Sequence, residues 1–93
     1  MFRKPRPNLI ESDEGFAVAI LGQTGLRYSE GERAVTIDSE VLMGPTGMIV
    51  YPGSIVSWDR PFDNERISDA KRCQILDRVR AAFRADGFEI DVN

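Results

Sequence analysis

Between residues 68 and 86 the apolar positions recur at helical spacing. Ile75, Leu76, Val79, Ala82 and Phe83 form one stripe about a third of a helix circumference wide. Ser68 stands where an N-cap hydroxyl would accept from a backbone N–H one turn in. Gly87 follows the last periodic residue, and Phe88 lies five positions after Phe83, the spacing of a Schellman stop. Start, stripe and stop therefore predict one helix over about 68–86. Upstream the period is two. Phe16, Val18 and Ile20 share a face opposite two alanines, and Leu26 pairs with Tyr28. In residues 33–43, Val35, Ile37 and Val41 oppose Thr36, Asp38 and Glu40. Shorter β-rich runs fall at 8–12, 48–51, 55–58 and 89–92.

Turn chemistry separates these runs. Asp13-Glu14-Gly15, Gly22-Gln23-Thr24-Gly25, Glu30-Gly31 and Gly44-Pro45-Thr46-Gly47 each break a strand, and Pro52-Gly53 has the residues of a type II turn. Tight turns join neighbours in antiparallel hairpins, because parallel pairing needs a long crossover. The expected fold is α+β: an antiparallel meander of five to seven short strands, with the C-terminal helix packed on one face. Each layer needs the other to leave water. Residues 1–7, with Pro5 and Pro7 among basic side chains, read as an extended N-terminal tail, leaving 8–93 as a single domain.

Charge adds a direction to this picture. Net charge is −3, but residues 8–65 hold ten acidic and three basic side chains, while residues 1–7 carry +3. An acidic body argues against nucleic acid as a partner. No run of 18 apolar residues suggests a membrane span, and the basic N-terminus lacks the apolar stretch of a secretion signal. A single cysteine, Cys73, cannot form an internal disulfide and reads as a small filler beside the stripe. The cytoplasm is the expected compartment.

Catalytic equipment is sparse. The chain has no histidine, so the usual base for serine or cysteine nucleophiles and the usual zinc set are missing. Gly44-Pro45-Thr46-Gly47 leads into an apolar β-run, whereas a phosphate loop opens a helix and ends in Lys-Ser/Thr. The carboxylate pairs Asp13/Glu14, Asp38/Glu40 and Asp63/Glu65 lie in turns or on a polar strand face, where acids are normally solvated, whereas acid–base work needs one of a pair desolvated. No enzyme activity, metal or cofactor is expected. Asp38 and Glu40, beside Thr36, form the better candidate for a docking patch. Arg72, Arg80 and Arg84 are candidates for a basic edge with Arg3, Lys4 and Arg6. Trp58 does not follow the local alternation; it fits either the core near the helix start or, beside Asp59 and Arg60, an interface anchor.

One stretch carries a family signature. Tyr51-Pro52-Gly53-Ser54-Ile55-Val56-Ser57-Trp58-Asp59-Arg60-Pro61, a short acidic connector, Ile67-Ser68 and the following helix resemble the immunity protein 74 family of bacterial polymorphic toxin systems. The resemblance covers about residues 47–92, and Asp59 stands where glutamate is more usual. It implies a protein without an active site that binds and neutralises a toxin in the producing cell. Tyr51, Trp58, Asp59 and Pro61 are the residues carried over. An acidic body would suit a cationic toxin domain, since complementary charge raises the on-rate. Expected partner-contact residues are Asp38, Glu40, Trp58 and Asp59. The alternative is a stand-alone binding or homodimerisation module, paired through an open strand edge or the polar sheet face.

Overall fold

The computed structural model describes residues 1–41 and 46–92. The alternating segments become strands β1 (Phe2–Arg6), β2 (Leu9–Ser12), β3 (Phe16–Ile20), β4 (Gly25–Glu30), β5 (Arg33–Val41) and β6 (Thr46–Val50). Helix α1 (Asp69–Ala85) and strand β7 (Glu89–Val92) follow. The strands form one curled sheet in the order β1-β2-β3-β4-β5-β6-β7. Its first six strands pair antiparallel, each with the next. Glycine sets the tightest turn: Glu30 pairs with Arg33, leaving Gly31 at φ 57° to open a two-residue loop, the glycine-first arrangement of a II′ hairpin. The break expected at Gly44-Pro45, and the last two positions of the strand expected to reach residue 43, lie outside the described residues.

Helix α1 folds for the local reasons read from its ends. Ser68 Oγ accepts from the Lys71 N–H at 3.1 Å. At the other end Gly87 sits at φ 86°, and the Phe88 and Gly87 N–H groups donate to the Phe83 and Arg84 carbonyls at 2.8 and 3.0 Å. That is the Schellman pair of bonds. Ile75, Val79, Ala82 and Phe83 are buried against the sheet, with Leu76 packed at the margin. They meet Ile10, Phe16, Val18, Leu26, Tyr28, Val35, Ile37, Met48, Val50 and Ile90, the inward residues of β2 to β7.

The structure departs from the expected pattern in several places. Residues 2–6 are extended but paired: Phe2 stands opposite Ser12 and Arg3 opposite Glu11, so they form the first strand of the sheet. Phe2 packs its ring on Phe16, 5.9 Å between centroids. Strand β7 runs parallel to β6, with Met48 opposite Ile90 and Ile49 opposite Asp91. Helix α1 supplies the long crossover that parallel pairing requires. Pro52-Gly53 is not a type II turn; Pro52–Ser54 is one turn of 3-10 helix, and Gly53 does not take the left-handed φ. Residues 55–58 do not return as a strand and hold only an isolated bridge, Ser57 to Arg66. Cys73 is exposed rather than a filler.

Residues 51–59 do something a strand would otherwise do. Strand β6 covers β5 only from Ser39 onward, which leaves one edge of residues 34–38 bare. The loop satisfies that edge group by group. The Tyr51 N–H donates to the Asp38 carbonyl at 3.0 Å, and Ser54 Oγ accepts from the Asp38 N–H at 2.9 Å. Further along, the Asp59 carboxylate accepts from Thr36 Oγ1 at 2.8 Å and from the Thr36 N–H at 3.4 Å. The Asp59 N–H then donates to the Ala34 carbonyl at 2.7 Å. Ile55 and Trp58 turn inward between these contacts and are buried. The loop is a side-chain substitute for an eighth strand, and it closes an edge that would otherwise invite pairing with another chain.

Candidate partner-binding surface

Strand β5 alternates cleanly. Val35, Ile37 and Ser39 are buried, while Thr36, Asp38 and Glu40 are exposed on the outer face. Pairing register shows what lies beside each acid. Asp38 stands opposite Gly25 of β4, which has no side chain to shield or pair it. Glu40 stands opposite Ile49 of β6, and Ile49 opposite Asp91 of β7. Asp38, Glu40 and Asp91 therefore share the outer side of the sheet across β5, β6 and β7. None of the three makes an ion pair among the described residues. Towards β3 and β4 the same face carries the small, half-buried Ala17, Ala19, Ser29 and Ala34, together with the exposed Arg27 opposite Thr36.

The other residues expected at this surface divide differently. Trp58 is 6% exposed and belongs to the core, so its aromatic area is not open to a partner. Asp59 is half-buried and committed to Thr36, with Arg27 Nε 3.9 Å from its carboxylate. Tyr51 is half-buried, and its main chain is held by Asp38 and Ser54. Pro61 is exposed in the connector. Tyr51 and Asp59 thus serve the closed edge of β5, and of the expected contact residues Asp38 and Glu40 are the exposed ones.

The expected basic edge is largely neutralised. Arg3 pairs with Glu11 at 2.9 Å, Lys4 with Asp86 at 3.0 Å, and Arg84 with Glu89 at 3.3 Å. Arg72 is turned to its own helix start: Nη1 donates to Asp69 at 2.8 Å, and Nε donates to the Ile55 carbonyl at 3.1 Å. It ties the loop to α1.

One cluster escaped the sequence reading. Tyr28 Oη donates to Glu30 Oε1 at 2.7 Å and accepts from Arg78 Nη1 at 2.8 Å. Lys71 Nζ lies 2.9 Å from Glu30 Oε2, and the Arg78 guanidinium lies 4.9 Å from the centre of the Phe16 ring. Burial, reinforced by the hydrogen bond to Glu30, pushes the Tyr28 hydroxyl up to about 12. Burial alone would raise Glu30, but the bonds from Tyr28 and Lys71 outweigh it and hold the carboxyl below its ordinary value. A buried phenol bonded between Glu30 of the sheet and Arg78 of the helix is a clamp between the two layers. Its links from sheet to helix join residues 41 and 50 positions apart, so no local spacing announces them. Among the described residues no cluster of histidine, cysteine or carboxylate side chains is arranged for a metal ion. No helix among them is long and apolar enough to cross a membrane.

Fold and surface together define a small α+β domain whose free chemistry is an acidic patch on the sheet. Comparison with known families places it further: residues 18–93 match the family described as Immunity protein 74, and the chain belongs to that family. The match begins within β3 and takes in β4 and β5 as well as the signature stretch. Nothing matches among curated proteins, and nothing among solved structures. The family name denotes an immunity protein, whose partner is a toxin.

Proposed function

We propose that this chain is a non-enzymatic immunity protein that binds its cognate toxin in the cytoplasm of the producing cell and neutralises it by covering the toxin's working surface. The contact runs through Asp38 and Glu40, joined by Asp91. The observation that carries this reading is that these three carboxylates, on the outer side of the sheet across β5 to β7, make no ion pair among the described residues, in a chain of the immunity protein 74 family. Carboxylates held apart from cations in this way raise a local negative potential, which steers a basic surface into register. The toxin domain is accordingly cationic at the face it presents.

The test uses the toxin domain encoded beside this gene, expressed in a sensitive host with and without this chain. Survival with the chain, together with a purified complex of nanomolar affinity that weakens as salt is added, is the expected result. Survival without a stable complex would point to protection by chemistry and sink surface occlusion.

A further inference from the structure

Among the described residues the sheet presents three strand edges to its surroundings, and two of them are guarded. Residues 34–38 of β5 are closed by the loop at 51–59. Strand β1 carries Pro5, which removes one donor from its backbone, and two of its cations are drawn back, Arg3 to Glu11 and Lys4 to Asp86. Strand β7 is the third. It has β6 on one side and, among the described residues, no strand on the other. Residues 89–92 include no proline, lysine or arginine, the types that blunt an edge. Besides water, the partner that meets such a row of N–H and C=O groups in series is another extended backbone, about 4.8 Å away.

Register says which side chains that backbone must carry. On the outer face one row crosses the sheet through Glu40, Ile49 and Asp91, and its next position falls on the incoming strand. Glu89 has Arg84 at 3.3 Å, but Asp91 is exposed and makes no ion pair among the described residues. A lysine or arginine set beside Asp91 gives it a partner of opposite charge. On the helix side the neighbouring row runs through Ser39, Val50 and Val92, and Val92 is left 36% exposed at its end. An apolar side chain beside Val92 completes that row. A second copy of this chain does not meet these terms. Antiparallel pairing of β7 with β7 sets acid against acid on the outer face, and β1 brings Pro5 with Arg3 and Lys4 already paired. We infer that the toxin domain adds a strand to the outer edge of β7, with a lysine or arginine beside Asp91 and, next to it in that strand, an apolar residue beside Val92. The inference rests on the immunity reading. Main-chain bonds supply affinity, the alternating side chains supply specificity, and Asp38 and Glu40 steer the approach.

Backbone pairing is read directly by amide hydrogen exchange, residue by residue, on the full chain alone and with the purified, catalytically inactivated toxin domain encoded beside this gene. The amides of residues 89–92 that donate nothing to β6 are expected to slow about 10-fold or more in the complex. Val92→Gln keeps the charge and removes the apolar end of its row. It is expected to speed dissociation about 5-fold or more with the on-rate within about twofold of wild type, because short-range packing acts on residence. Its thermal unfolding is measured alongside, and the exchange data decide the matter alone if this variant is unstable. A complex in which those amides exchange as they do in the free chain overturns the added strand and leaves the immunity reading intact. So does a stably folded Val92→Gln that dissociates at the wild-type rate. Failure of the wild-type chain to bind overturns both. Slow exchange of the same amides in the chain alone, with a dimer by light scattering, would seat a second copy on the edge and overturn the assignment to the toxin.

Discussion

Asp59 illustrates how a single loop residue can complete the edge of a strand. Its carboxylate and N–H meet β5 at Thr36 and Ala34, replacing the bonds of a missing strand. Asp59→Ala keeps the N–H bond to Ala34 but would leave the Thr36 N–H and hydroxyl to water, and is expected to lower stability by about 1–2 kcal/mol, read by denaturant unfolding. Hydrogen exchange at the Thr36 amide should accelerate, while toxin affinity stays within about threefold; a large loss of affinity in a stably folded variant would return Asp59 to the contact surface. Tyr28 gives a second test, through pH. Its hydroxyl is raised to about 12 in the folded protein, against an ordinary value of 10.0. Between pH 10 and 12 the unfolded chain has released this proton and the folded one has not. The stabilisation is therefore whole below pH 10 and is lost as pH climbs to 12, a fall of about 2–3 kcal/mol. Tyr28→Phe removes the titrating group, so the wild-type advantage measured at pH 9 should shrink by that amount at pH 12. An advantage that does not change with pH would mean the hydroxyl is not shielded as described.

At the scale of elements, what could be read early was whatever is written locally. The helix was legible from end to end, because Ser68, the stripe and Gly87-Phe88 act within one or two turns of chain. Strands β3 to β5 were legible because half-buried strands alternate, and Val18, Leu26 and Ile37 all point inward as their period requires. Val41 kept the period yet stayed exposed, because a pattern shows which side of a strand faces in and not how far the helix reaches over it. The loop at 51–59 was opaque for a different reason. Its bonds go to a strand 13 to 25 positions earlier, so its apolar residues were misread as a strand of their own. The parallel β6–β7 pair hid for the same cause, since only the placement of α1 reveals it. Leu76 also proves marginal, whereas Ile75 and Val79 are fully buried. The helix–sheet contact is thus best probed at Ile75: Ile75→Ala should cost about 2–5 kcal/mol in a cooperative unfolding transition. A cost below about 1 kcal/mol would mean that the helix contributes little to holding the sheet.

Across the whole molecule, the arrangement of charge matters more than its total. The three cations of β1 do little at long range, because Arg3 and Lys4 are spent on Glu11 and Asp86. Asp38, Glu40 and Asp91 make no ion pair among the described residues, so their charge adds to the local negative potential over that side of the sheet. If that field guides a cationic toxin domain, Asp38→Lys with Glu40→Lys should slow association about 10-fold at low salt. The difference should vanish as ionic strength rises and the screening length falls below the approach distance. Dissociation should change far less, and folding stability by no more than about 0.5 kcal/mol, since both side chains are exposed. A control separates place from amount: Glu32→Lys with Asp63→Lys makes the same change in net charge at exposed positions in a hairpin turn and in the connector. That pair should leave the on-rate within about twofold of wild type. Equal slowing by both pairs would show that the toxin responds to the overall charge of the chain, and the outer corner of the sheet would lose its special role.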